Sequence, residues 1–459
     1  MPDTDRVQAA LNACAPGQAV EFSSSDGYNA FIIAPINLPP GVTMLVDPDV
    51  TIFGSINHSD YSCNPSGGTC KPLINVLPNA DPAPGSGIMG LGVIDGRGGV
   101  SLTDTGVSWW ASINPGPDAR PRLVYLSYTS PTTGADNFTL YKITLRNSPK
   151  FHVSGVGNNL TVWGIRIFSP PDSPNTDGID PSSATNVTIT NSYISDGDDH
   201  IAPKAGVGHV SNISIYNNHF YSGHGISVGS ETNAGLNNMY VHDNAFDVGS
   251  DYFGGSSAGA LRIKSDVSRG GEVHDVLYQN TCVNYGGNTL VFNPYYSAAT
   301  GSLIPNFHDI TISNFLELND SSHKSTIEGY NSNGIVYPLT LTLDNVIFNN
   351  ATQSDFAAPA QVNNAQITLG PGPVNIRPFL QNDAATPSNN ITIYNNVSNS
   401  DAPLDCSHAF VYLTGDLTAP TNTAVTGQPF TVTAMLQNVI SPTMAGTIQQ
   451  AHSICQSAS

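Results

Sequence analysis

The chain has 459 residues, of which 35 are acidic and 15 basic, giving a formal charge of -20 although only 11% of its residues are charged. That balance excludes the basic footprint of a nucleic-acid binder, and 39% hydrophobic residues exclude wholesale disorder. Abundant Gly and Pro (43 and 33) point to a β-rich protein with many turns, and so acidic a chain nears neutrality only in an acid medium.

At the N-terminus, MPDTDRVQAALNACAPG lacks the basic and apolar pattern of a leader. The expectation is a secreted protein whose chain starts after processing. No run of eighteen apolar residues occurs, so no membrane association is expected. The same segment predicts a helix with Asp3 or Thr4 as N-cap and Val7, Leu11 and Cys14 on one face, placed to cover an open sheet edge. Cys63 and Cys70 frame a polar loop suited to a local disulfide, and Cys406 with Cys455 would staple the C-terminal tail, as in an oxidising compartment. Cys282, in NTCVNYG, reads as a buried thiol.

The middle of the chain repeats itself. NFTLYKITLRNSP, NLTVWGIRIFSP, NVTITNSYISDGD, NISIYNNHFYSGHG and NMYVHDNAFDVGS begin at Asn137, Asn159, Asn186, Asn212 and Asn238, spaced 22, 27, 26 and 26 residues apart. Weaker copies start at Val273, Phe307, Leu339 and Asn390. Each is a short strand, a turn rich in Asn, and a second short strand. One such unit cannot bury its apolar face alone, but coils stacked at about 4.8 Å bury a continuous core. The expected fold is all-β, a single-stranded parallel β-helix with a short N-terminal capping helix. A β-propeller blade needs roughly 40 to 45 residues, longer than most of these steps. Nine Asn-x-Ser/Thr sequons occur, at Asn57, Asn137, Asn159, Asn186, Asn212, Asn319, Asn350, Asn390 and Asn396, and several are simply the strand-opening position of the coil. Residues 1–400 are read as the β-helical catalytic domain and 401–459 as a tail packed on it.

Four polar motifs fall in successive copies: Asn175-Thr-Asp-Gly-Ile-Asp180, Gly197-Asp-Asp199, Gly223-His-Gly225 and Arg262-Ile-Lys264. Asp177 precedes Asp198 by 21 residues, Asp198 precedes His224 by 26, and His224 precedes Arg262 by 38, the last step lengthened by DVGSDYFGGSSAGA. Steps of one coil bring all four to one face. Glycosidic hydrolysis needs a protonated carboxyl beside the leaving oxygen and a second carboxylate to activate water or attack. Neighbouring carboxyls cannot both ionise freely, so one is expected to be raised and to act as the acid. Asp198 and Asp199 would face opposite ways on a regular strand, so the chain must bend there, which Gly197 permits. Arg262 and Lys264, two apart on one strand face, are suited to holding carboxylates of an anionic polymer. Taken singly, Asp-Gly is an ordinary turn, Asp-Asp a solvated loop or calcium pair, and His224 a structural residue. Four such motifs in order at coil spacing are specific.

NTDGID, GDD, GHGISVGSE and LRIKSD, with GIMGLGVIDGRGG before them, resemble glycoside hydrolase family 28, the polygalacturonases, from about residue 90 to about 315. The resemblance implies a right-handed parallel β-helix that cuts α-1,4-linked galacturonan with inversion and without a metal; no other cofactor is expected, and a monomer is the default. By position it implies Asp198 as general acid, Asp177 and Asp199 as the carboxylates that activate water, and His224 as an assisting residue. Arg262 and Lys264 would bind galacturonate, with Tyr296 or Tyr295 and Asn175 touching substrate. Lys204 is read either as an extra subsite contact or as a surface lysine. His200 stands where many fungal and plant members carry Cys, and it has no assigned role; Asp196 is read as a bystander. The leading reading is an endo-acting polygalacturonase working on pectin. Its alternatives are an exo-acting enzyme, a rhamnogalacturonan or xylogalacturonan hydrolase, a calcium-dependent pectate lyase, and a non-catalytic carbohydrate-binding β-helix.

Overall fold

A computed structural model describes residues 3–25, 27–64, 68–79, 84–111, 119–247, 259–284, 287–319, 325–356, 362–380, 390–414, 424–426 and 454–458. The chain divides into two compact units, residues 1–177 with 411–459, and residues 178–410. Both are built as a right-handed parallel β-helix.

In the first unit each coil contributes up to three short strands. One parallel series runs through Ala19–Phe22, Thr43–Val46, Gly87–Gly90, Thr139–Tyr141 and Thr161–Trp163. A second runs through Ala30–Ile33, Thr51–Gly54, Val93–Asp95, Thr144–Arg146 and Arg166–Phe168. The third links Ile36–Leu38, Ile74–Val76, Val124–Leu126 and Val153–Val156. The helix α1 spans Thr4–Ala13 and buries Val7, Ala10 and Leu11, with Cys14 just beyond. Neither expected N-cap side chain caps it. Asp3 Oδ2 instead accepts the Ile32 N–H at 2.9 Å, and Thr4 Oγ1 accepts the Ala34 N–H at 2.9 Å. Both polar groups therefore satisfy donors of a neighbouring strand rather than of the helix itself.

In the second unit the longest series runs Thr185–Thr190, Val210–Tyr216, Leu236–His242, Glu272–Asn284, Ile310–Glu317, Leu339–Phe348, Ala365–Leu369 and Ile391–Asn395. Its register stacks like on like: Val187, Ile213, Met239, Val276, Ile310 and Leu341 form one buried column. Inward positions alternate with outward ones along each strand, so every coil adds the same apolar pair to the core. Another series joins Ile226–Gly229, Gly259–Lys264, Asn288–Asn293, Thr326–Glu328 and Val362–Asn363.

The repeat-opening asparagines are the corners of the coils. Asn137, Asn159, Asn186, Asn212, Asn238 and Asn390 all have φ between 47° and 59°, the left-handed region that Asn tolerates better than other side chains. Their amides stack from coil to coil, Asn159 donating to Asn137 at 2.9 Å in the first unit, and Asn212 to Asn186 at 3.0 Å and Asn238 to Asn212 at 2.6 Å in the second. A second ladder, Asn280 to Asp243, Asn314 to Asn280 and Asn345 to Asn314, turns the other corner of the second unit at 2.9, 3.1 and 3.0 Å.

Two disulfide expectations need correction. Cys63 and Cys70 do pair, but Cys406 bonds Cys282, 124 residues away, and Cys14 is also in a disulfide. Cys282 is therefore not a free thiol. It lies beside Leu316 under the chain end carrying Leu404 and Phe410, so the sulfur that looked like core filling is within reach of Cys406.

Replacing Asn212 by Ala removes both ladder bonds and puts a Cβ-bearing residue without a compensating amide at positive φ; the expected loss is about 1–3 kcal/mol. Chemical denaturation checks it, with Asn212→Gly losing less because glycine keeps the backbone angle.

Candidate active site

The second unit gathers most of the expected site. The main chain after Tyr193–Ser195 leaves the strand at Asp196, and Asp196 Oδ1 accepts the Asp198 N–H at 3.1 Å, while Asp198 Oδ1 accepts the Asp199 N–H at 3.0 Å. The bend is thus made by the buried Asp196 carboxylate, which is no bystander. One coil on, the His224 N–H donates to the Asp198 carbonyl at 2.7 Å, which sets the imidazole beside the pair. His224 Nδ1 is 3.0 Å from Asp198 Oδ1 and 3.8 Å from Asp199 Oδ1. Strand register then pairs Ser227 with Arg262 and Gly229 with Lys264. Lys264 Nζ donates to Asp199 Oδ2 at 2.7 Å and Arg262 to Asp199 Oδ1 at 3.5 Å. The two carboxyls therefore differ in company: Asp198 has a histidine, and the buried Asp199 has two cations.

Tyr296 places its ring 4.8 Å from Lys264 Nζ and 5.4 Å from the Arg262 guanidinium, and it is 41% exposed. Tyr295 instead accepts the Asn331 N–H on its hydroxyl at 2.8 Å, so Tyr296 is the tyrosine beside the two cations. Lys204 lies 3.2 Å from the buried Asp180 carboxylate, an ion pair that neither earlier reading of this lysine anticipated. Burial pushes Asp180 up to about 6, with Lys204 opposing and Asp199 and Asp198 adding to the rise. Asp198 behaves contrary to expectation. Burial pushes its carboxyl up, but the His224 hydrogen bond and charge, with Lys264 and Lys204, outweigh burial and hold it below the usual carboxylate range.

His200 acquires a role. It is fully buried, its Nδ1 accepts the Gly225 N–H at 3.2 Å, and its Nε2–H donates to the Ser222 carbonyl at 2.8 Å, so the neutral tautomer is fixed by its neighbours. Its ring stacks on Phe220 at 5.1 Å, which in turn stacks on Phe246 at 4.7 Å. It ties the Asp198-Asp199 coil to the His224 coil. A Cβ on Gly223, at φ 143°, would sit 2.4 Å from His200 Nε2, which explains the first glycine of GHG.

Two expected residues lie in the first unit. Asn175, at φ 50°, accepts a bond from Arg120 at 3.0 Å. The buried Arg120 also donates to the carbonyls of Pro149 and Pro174, at 2.7 and 2.6 Å, and so fastens the NTDG segment. Asp177 is buried, and its carbonyl accepts the His152 N–H at 2.8 Å. His152 Nδ1 donates to the Thr176 and Asp177 carbonyls at 3.1 and 3.2 Å, while Nε2 takes the Ser169 hydroxyl at 3.0 Å. Sequence reasoning overlooked Arg120 and His152, because neither stands in a motif; each is a buried polar side chain on one of the two coils before NTDG.

The ligand atoms of Asp198, Asp199 and His224 lie within 4.8 Å of one another, a set able to hold a cation, although Lys264 and Arg262 bring two positive charges to the same carboxylate.

The profile of glycosyl hydrolases family 28 matches residues 48–333. The chain is 39% identical to a polygalacturonase of Ralstonia nicotianae, over 90% of this chain and 85% of that one. It is 37% identical to an endo-polygalacturonase of Pectobacterium carotovorum, covering 75% and 83% of the two chains. Among solved structures, the polygalacturonase from Erwinia carotovora superposes with a TM-score of 0.69 at 33% identity, over 80% of this chain and 94% of that one. The chain belongs to glycosyl hydrolases family 28 and is a glycoside hydrolase.

The buried histidines make stability depend on pH. Burial holds His152 and His200 down at about 4, against 6.5 when unfolded. Between those values the unfolded chain binds protons that the folded chain refuses, so stability rises with pH and is lost as pH falls through that window. Asp180, raised from 3.8 to about 6, acts in the opposite sense, as do the raised Asp47 and Asp247, while His219, held down at about 4 by burial, acts with the two histidines. Melting temperature should fall on acidification from about pH 6.5 to about pH 4. His200→Gln should be less stable throughout yet show a shallower fall; a slope equal to that of the parent would rule out this source.

Proposed function

We propose that the protein hydrolyses α-1,4-galacturonosyl linkages of polygalacturonan in pectin, with inversion and by endo-attack. The observation that carries the reading is the asymmetric pair: Asp198 beside His224, and Asp199 beside Lys264 and Arg262. The polygalacturonase relatives support the substrate class, and the endo-acting relative supports internal cleavage.

In this mechanism Asp198 protonates the leaving glycosidic oxygen, and Asp199 with Asp177 takes a proton from the attacking water. Arg262, Lys264 and the face of Tyr296 receive a galacturonate and its carboxylate; Asn175 contributes a further contact. Lys204 serves indirectly by neutralising Asp180. Asp198, held low in the free protein, must carry a proton to act. An arriving polyanion would supply the change: its carboxylate screens Lys264, one of the groups holding Asp198 down, and its bulk removes water, which strengthens the upward effect of burial. Substrate thus loads its own acid. Action as a monomer outside the cell belongs to the same reading.

A second reading has one observation in its favour, the clustered ligand atoms of Asp198, Asp199 and His224, which a calcium-dependent lyase could use. Incubation with polygalacturonic acid separates the two. The expected products are a ladder of saturated oligomers insensitive to chelator; unsaturated, ultraviolet-absorbing ends lost with chelator would establish the lyase. Asp198→Asn should lower kcat by about 10²–10⁴ while leaving polymer binding largely intact. The alkaline limb of kcat, which reports the bound enzyme, should lie at higher pH than that of kcat/KM, which reports the free one. Coincident limbs would refute loading by substrate.

A further inference from the structure

Within the first unit, several of the described cations have fixed polar partners. Arg6 pairs with Asp3 and Arg146 with Asp95, each at 2.8 Å, and Arg120 bonds carbonyls and Asn175. Arg122 has none of these. Its Nε is buried without a hydrogen-bond partner, and among the described residues no carboxylate pairs with it. Its guanidinium lies 4.8 Å from the Tyr125 ring centroid and 5.7 Å from that of Phe151. Lys150 Nζ stands 5.2 Å from the Phe151 ring. In a chain of charge -20, a half-buried arginine resting near two aromatic rings, with no counter-anion among the described residues, is a prepared anion site.

Main-chain bonds locate it. The Leu123 N–H donates to Phe151, the Val124 N–H to His152, and the His152 N–H to Asp177. Arg122 therefore stands two coils from Asp177, about 10 Å along the stack at the usual strand spacing. The neighbouring outward positions are polar and in register: Asn75 pairs with Tyr125, and Tyr125 with Ser154, whose buried hydroxyl has no hydrogen-bond partner. An anion at Arg122 would meet hydroxyl-binding groups beside it, as a sugar acid requires.

We infer that Arg122, seated on Tyr125 and Phe151 and flanked by Lys150, is a remote subsite that binds the free carboxylate of a sugar acid two coils from Asp177. The proposal rests on the polygalacturonan reading and deepens it. A guanidinium fork matches a carboxylate through two parallel bonds and loses that match to a methyl ester, so this subsite makes the enzyme sensitive to the esterification of residues far from the bond it cuts.

The test is steady-state kinetics of the full chain and of Arg122→Gln and Arg122→Lys on polygalacturonate and on highly methyl-esterified pectin. On polygalacturonate, Arg122→Gln should raise KM about ten-fold or more, with a much smaller change in kcat. Arg122→Lys, which keeps the charge and loses the fork, should recover part of the loss. On the esterified polymer the variant and its parent should differ by less than two- to three-fold. An unchanged KM on polygalacturonate, or an equal loss on both polymers, overturns the subsite. If Arg122→Gln does not fold, as judged by circular dichroism, the lysine variant carries the comparison and must show the same polymer dependence. A parent protein that neither binds nor cleaves polygalacturonate overturns the parent reading and this one with it, a result distinct from a failed variant comparison.

Discussion

Main-chain register between one coil and the next is the constraint on which the rest depends. In the second unit the same peptide-to-peptide bonds that stack Val187 on Ile213 and Met239 also carry His224 to the Asp198 carbonyl and Lys264 to the Asp199 carboxylate. A slip of one residue would turn every apolar side chain outward and move each polar group off its partner. The site thus needs no loop of its own to assemble it; it follows from the period. Glycines guard the tightest approaches. A Cβ on Gly178 would stand 2.4 Å from the His200 carbonyl, and one on Gly225 would stand 2.3 Å from the Ala260 carbonyl.

The electrostatic division of labour follows from which cation each carboxyl meets. Asp199 is enclosed with Lys264 and Arg262, whereas Asp198 is bonded to the His224 imidazole. His224 Nδ1 also stands 3.8 Å from Asp199 Oδ1, so a proton moving within the Asp198-His224 pair is felt by both carboxyls. The buried histidines at His152 and His200 do the opposite work: each is locked neutral by main-chain partners and holds backbone instead of moving protons. Chemically identical side chains are thus sorted by burial and by what their second nitrogen touches.

Periodicity was legible because stacking imposes it on residues directly, so the β-helix, the Asn corners and the grouping of Asp198, Asp199, His224, Arg262 and Lys264 could be read in one dimension. What escaped reading depends on partners that periodicity does not encode. Cys282 looked like core filling because its flanks are apolar, and the sulfur opposite it comes from a chain end with no repeat. Asp180 was quoted within a motif and given no task, since only burial reveals that it takes the Lys204 ammonium. The direction at Asp198 depended on one 3.0 Å bond to His224 and on two lysines, and the adjacency of two aspartates alone suggested the opposite. The capping side chains of α1 were identified as residues but not as to what they bond, because the donors they satisfy lie on another strand.

The asparagine ladder has a consequence for the ageing of the molecule. An amide at Asn212 both gives a hydrogen to Asn186 and takes one from Asn238, so spontaneous deamidation would swap a donor for a second acceptor in the middle of the column. Two oxygens would then face each other at the corner of a coil, without the imidazole partner that is supplied further along. There, at Asp275 and Asp309, the left-handed corner is already acidic, and each carboxylate is bonded at 2.8 Å by the histidine before it, His274 and His308. Long storage should therefore damage the amide corners before the acidic ones. A stored sample would record its own history as a trail of single added charges along one edge of the stack.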